Sequence, residues 1–126
     1  MEVLSSRVLY RCREFDVLRR FYEDTIGLHP YREYGDATGI VGVVFFLGGG
    51  FLELVRAPPP SPSITLWLQV PDVAVEEARL TAAGVVVIRA AQRMPWGLVE
   101  SWIHDSEGNE LRLVEVPDDH PIRRRL

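Results

Sequence analysis

The residues with chemical potential in this chain sit at alternate positions of extended stretches. A strand period of two puts Arg7, Leu9 and Arg11 on one face of the first stretch, and Val8, Tyr10 and Cys12 on the other. The same parity aligns Phe51, Glu53 and Val55, then Thr65, Trp67 and Gln69, then Glu110, Arg112 and Val114. Guanidinium groups grip carboxylates or phosphates through paired N–H donors, and indole rings stack on flat ligands. Glu53 adds a carboxylate for acid–base or ligand work. His104, at the end of a predicted strand before Asp105, is a second acid–base candidate, since an unperturbed imidazole titrates near ~6.5.

The same inventory excludes other chemistry. All 14 basic residues are Arg, so Schiff-base catalysis through lysine is ruled out. Cys12 is the only cysteine, which leaves no internal disulfide and no cysteine metal cluster; its apolar neighbours make it a packing residue. His29 and His120 are expected to face solvent, and no second histidine accompanies His104 to build a zinc site. A net charge of −4 without a basic stripe argues against nucleic acid. The run Arg123-Arg124-Arg125 reads as a solvated tail. No apolar run approaches the ~18 residues of a membrane span, and the first residues lack a signal-peptide pattern. The expected location is cytoplasmic.

The elements that must position these residues come in two copies. Residues 6–13 read as a strand, and 15–26 as an amphipathic helix with Phe15, Leu18, Phe21, Tyr22 and Thr25 on one side. Gly27 supplies the left-handed helix end. A strand over 28–35 and a hairpin, 39–47 with 51–55, follow, with Gly48-Gly49-Gly50 as the turn. The proline-rich stretch 58–62 reads as a stiff linker. The second copy runs strand 63–70, helix 72–83, Gly84, strand 85–89, a Met94-Pro95-Trp96-Gly97 loop, strand 98–104, the turn 105–109 and strand 110–116. The expected fold is α+β, with two tandem βαβββ modules (about 4–57 and 63–117, then a tail over 118–126). They make one domain of 126 residues, a curved mixed sheet around a central cleft.

The layout resembles the vicinal oxygen chelate superfamily, which contains glyoxalase I, bleomycin-resistance proteins, extradiol dioxygenases and fosfomycin-resistance enzymes. Three stretches carry the resemblance: Phe21-Tyr22 with Gly27-Leu28; Phe51-Leu52-Glu53-Leu54; and Pro95-Trp96-Gly97 followed by Asp105, Gly108 and Asn109. The resemblance covers residues 6–116. It implies a divalent metal held by His or Gln on the first strand of each half and Glu on the last. Carried over by register, those positions are Arg7, Glu53, Thr65 and Arg112. Only Glu53 is a metal-competent type. Two fixed guanidinium charges would also repel a dication by several kcal/mol at an effective dielectric of about 20.

The resemblance therefore points to the bleomycin-resistance-like, metal-independent branch, with no cofactor. The expected function is capture of a neutral or anionic small molecule by Arg7, Arg11, Glu53, Thr65, Trp67, Trp96 and Arg112. Bleomycin-like ligands are large and cationic, which arginines in the cleft disfavour. In the superfamily Trp96 of the Pro-Trp-Gly loop would lie beside the ligand groove. Glu53 and His104 are the catalytic candidates if turnover occurs. The alternative is a metal-dependent lyase, isomerase or dioxygenase, with Glu53 joined by His104 or Glu110. Small members of the superfamily pair as homodimers, sometimes exchanging half-domains, so a homodimer is expected. A further expectation is that Arg7 or Arg112 pairs with Glu53 in place of a metal.

Overall fold

The computed structural model describes residues 2, 4, 5, 7–58 and 64–120. Most of the predicted linker, and the Arg123-Arg124-Arg125 run, lie outside the described residues. The chain divides into two compact units, 1–63 and 64–126.

In the first unit β1 (Arg7–Cys12) leads into α1 (Phe15–Arg20), which continues as a π-helical segment, Phe21–Ile26. The wider coil departs from the uniform helix expected for 15–26, yet Phe15, Leu18 and Tyr22 are still buried. Gly27, at φ +90°, ends the helical run as the sequence predicts, and its N–H and that of Leu28 both donate to the Tyr22 carbonyl.

Strands β2 (Pro30–Asp36), β3 (Gly39–Leu47) and β4 (Gly50–Arg56) complete the unit in the order β1-β4-β3-β2. β1 runs parallel to β4, and the other pairs are antiparallel. The glycine turn between β3 and β4 is shorter than expected. Only Gly48 takes a positive φ, and Gly50 already belongs to β4.

The second unit repeats the plan with β5 (Thr65–Gln69), α2 (Val73–Ala82), β6 (Val87–Arg93), β7 (Val99–His104) and β8 (Glu110–Glu115), in the order β5-β8-β7-β6. Asp72 caps α2 by accepting from the Val75 N–H at 3.1 Å. Gly84, at φ +87°, follows the helix end. β6 begins later and runs further than the predicted 85–89, to Arg93. Asp105 Oδ1 accepts from the N–H of Glu107 and of Asn109, so the Asp-Gly-Asn signature is turn chemistry joining β7 to β8.

Both sheets use the strand period as predicted. In the first, Tyr10, Cys12, Val43, Phe45, Leu52 and Leu54 are buried with Phe15, Leu18 and Tyr22 of the helical segment. In the second, Leu66, Ile103, Leu111 and Leu113 are buried with Val73 and Leu80 of α2. Glu77 of α2 accepts from the Ser101 hydroxyl at 2.6 Å, which satisfies a polar pair on that side. The complementary parity of each sheet carries the chemical residues.

Candidate functional site

Strand pairing places those residues in rows, and the two units match row for row. Across the first sheet one row reads Leu9, Glu53, Val44, Arg32; its counterpart across the second reads Trp67, Arg112, Trp102, Arg89. The next rows read Arg11, Val55, Gly42, Tyr34 and Gln69, Val114, Glu100, Gln92. The backbone plan is therefore shared, while the side chains at equivalent positions differ in charge and size.

In the first unit everything converges on Glu53. Arg7 Nη1 lies 2.6 Å from Oε1, and the Tyr34 hydroxyl donates to Oε2 at 2.6 Å. Tyr34 reaches across two strands because Gly42 is bare: a Cβ there would run into the tyrosine ring. Desolvation pushes the Glu53 carboxyl up, but the Tyr34 and Arg7 hydrogen bonds, with the charges of Arg7 and Arg32, outweigh it. The group is held below the usual glutamate range. Tyr34 moves the opposite way, to about 12, through burial first and then through its bond to the Glu53 carboxylate and that group's charge.

Beside this trio Tyr31, Phe46 and Phe51 form a ring cluster with centroids 5.0 to 5.7 Å apart. Tyr31 and Phe46 are about half exposed. Arg11 is exposed beside Val55 and has no ion-pair partner among the described residues.

In the second unit the centre is Trp102. The Arg112 guanidinium carbon lies 4.0 Å from its ring centroid and that of Arg89 4.6 Å. Its indole N–H donates to Glu100 Oε1 at 2.8 Å, and the Trp96 N–H takes Oε2 at 2.6 Å. Glu100 is only 2% exposed, so one buried carboxylate pins two indoles. The Pro-Trp-Gly loop is itself closed by the Gly97 N–H donating to the Met94 carbonyl. His120 lies over Gly97, half-exposed, with Nε2 3.0 Å from the Trp96 carbonyl oxygen.

The predicted site residues are thus only partly brought together. Arg7 and Glu53 form the expected ion pair, whereas Arg112 turns to Glu110, with Nε 2.7 Å from Oε2. Trp67 neighbours Arg112 and is 49% exposed; Trp96 is joined to Glu100. Thr65 is exposed beside Glu110, as is His104 on the other flank. Tyr34, Glu100 and Arg89 were missing from the sequence-based list. The period of two along Glu100, Trp102 and His104 was a readable signal for the second of these.

The side chains at the four positions that the resemblance implies for a metal are not a donor set suited to a divalent ion. Glu53 has both oxygens engaged by donors, Arg7 and Arg112 are cations, and Thr65 is a weak neutral donor. Among the described residues no group of three His, Cys, Asp or Glu side chains is placed to hold a metal.

The profile of the Glyoxalase/Bleomycin resistance protein/Dioxygenase superfamily matches residues 5–113. No curated protein matches the chain. Among solved structures, TnmS3, an antibiotic binding protein from Streptomyces sp. CB03234, aligns at 22% identity with a TM-score of 0.78, covering 92% of this chain and 98% of its own. TioX from Micromonospora sp. ML1 aligns at 21% identity and a TM-score of 0.77, covering 90% and 98%. A glyoxalase-related enzyme from Fulvimarina pelagi follows at 19% and 0.71, covering 93% and 90%. At these identities the structures establish the fold. With the profile match across most of the chain, this protein belongs to the Glyoxalase/Bleomycin resistance protein/Dioxygenase superfamily.

Proposed function

We propose that this is a metal-independent small-molecule-binding protein whose ligand is neutral or anionic. One observation carries the reading: both oxygens of Glu53, the single metal-competent residue among the four superfamily positions, are engaged by Arg7 and Tyr34. A metal there would have to displace a guanidinium and a phenol and then find its remaining ligands among Arg and Thr. The open strand faces are better suited to holding a molecule. They present exposed rings (Trp67, Trp96, Tyr31, Phe46) and guanidinium donors (Arg7, Arg11, Arg112).

The similarity to TnmS3, described as an antibiotic binding protein, gives this reading a precedent in fold. The arginines favour a different ligand charge from that of bleomycin, and titration calorimetry with bleomycin is expected to show no tight binding. No helix among the described residues is long and apolar enough to cross a membrane, and the protein is proposed to work in the cytoplasm as a homodimer. Light scattering at micromolar concentration checks the dimer, which a monomer mass contradicts.

The direct test is a thermal-shift screen of neutral, anionic and cationic metabolites with and without divalent metals. A ligand that binds the native state raises the melting temperature. Stabilisation by neutral or anionic compounds that is indifferent to metal supports the proposal. Stabilisation only in the presence of metal refutes it.

A further inference from the structure

The row Trp67, Arg112, Trp102, Arg89 is more specifically built than general binding requires. Trp102 is held on its edge by Glu100 at 2.8 Å and contacted by two guanidiniums, one from each neighbouring strand. A guanidinium stacked on a fixed ring has already lost the side-chain freedom it would otherwise lose on binding. Arg112 spends its Nε on Glu110 at 2.7 Å and its face on Trp102, which leaves terminal N–H donors in the guanidinium plane. Next to it Trp67 offers an indole that is 49% exposed. Arg89 has no carboxylate partner among the described residues, so its charge acts on the row across Trp102.

We propose that this row is a seat for a flat aromatic monocarboxylate, its ring lying on Trp67 and its carboxylate accepting from the terminal N–H groups of Arg112. The proposal rests on the reading of the protein as a small-molecule binder and names the ligand class. Charge balance selects the monoanion. Glu110 pairs with Arg112, whereas Arg89 has no carboxylate partner among the described residues, so a single negative charge balances the row and a multiply charged phosphate gains no advantage. Shape selects the flat ring, because an exposed indole rewards a stacked aromatic over an aliphatic acid.

Titration calorimetry with 2-naphthoate and 2-naphthamide, which share ring and outline but not charge, tests the seat. The acid is expected to bind the native protein about tenfold tighter than the amide, the difference of one charge-assisted contact. Arg112→Gln is expected to bring the acid down to the amide while leaving the amide unchanged. Trp67→Ala is expected to weaken both by a similar factor. Should Arg112→Gln fail to fold by circular dichroism, Arg89→Gln at its exposed position decides the matter by a smaller selective loss for the acid. Equal affinities for acid and amide overturn the proposal. So does an unchanged acid affinity in folded Arg112→Gln, or no binding of either probe. A metal-indifferent ligand of another class in the thermal-shift screen, alongside such a failure, leaves the general reading standing and removes only the seat.

Discussion

Arg7 and Glu53, on parallel neighbouring strands, close an ion pair of 2.6 Å at two of the positions where the superfamily resemblance implies metal ligands. The side chains are 40% and 12% exposed, which sets the scale of what the pair contributes. A partly exposed pair stabilises by about 1 kcal/mol, and the Tyr34 hydrogen bond by a similar amount. Glu53→Gln and Tyr34→Phe are each expected to lower unfolding stability by about that much in urea titrations. The double variant should cost less than the sum, since both contacts share one carboxylate. Strict additivity contradicts the shared-carboxylate geometry.

The pair also sets a pH dependence at each end of the scale. Glu53 is ionised more readily in the folded chain than its ordinary value of 4.5, so its contribution is present above that value and lost as pH falls through the lower folded pKa. Tyr34 is raised from 10.0 to about 12, so its contribution is present below 10 and lost as pH climbs through about 12. Spectrophotometric titration of tyrosinate is expected to show a late-ionising group that Tyr34→Phe removes. A variant curve identical to that of the native protein counts against the assignment.

Gly42 makes the Tyr34 reach possible. Gly42→Ala pushes a methyl into the tyrosine ring, and relieving that clash breaks the bond to Glu53. The expected result is a loss of about 1–3 kcal/mol, as for other overpacked sites, and a Tyr34 ionisation that returns toward 10.0. A substitution that leaves both unchanged shows that the ring does not lie over Gly42.

Glu100 holds Trp96 and Trp102 because a carboxylate has two acceptors and no donor. An amide keeps one acceptor and turns an NH₂ toward the second indole. Glu100→Gln is therefore expected to cost about 1–3 kcal/mol and to free Trp96, whose fluorescence becomes more accessible to acrylamide. Unchanged quenching indicates that the loop is held by Gly97, Met94 and His120 instead.

Much of this arrangement was legible in the chain. The strand period separated Tyr10 and Cys12 from Arg7, Leu9 and Arg11 correctly, and Gly27 and Gly84 marked both helix ends. A guanidinium in place of a metal at Glu53 was expected from the positions the resemblance carries over, with Arg7 and Arg112 both open; the structure pairs Arg7. What lay beyond reach depends on bulged strands. β2 shifts register between Pro30 and Arg32, and β6 between Val87 and Arg89, so parity counted into either strand from its start loses its face. Tyr34 and Arg89 were missed for that reason. Glu100 lay on a readable strand period with Trp102 and His104, but a buried carboxylate looks unfavourable until two indole donors are placed on it, and only the loop that carries Trp96 provides the second.

The proposed metal independence turns on Glu53, whose two carboxylate oxygens serve Arg7 and Tyr34. Elemental analysis of protein purified without chelator, native and Glu53→Gln, tests it most directly. Substoichiometric zinc, nickel, manganese and iron are expected in both, with ligand stabilisation that survives a chelator. Stoichiometric metal in the native protein that disappears in Glu53→Gln contradicts it.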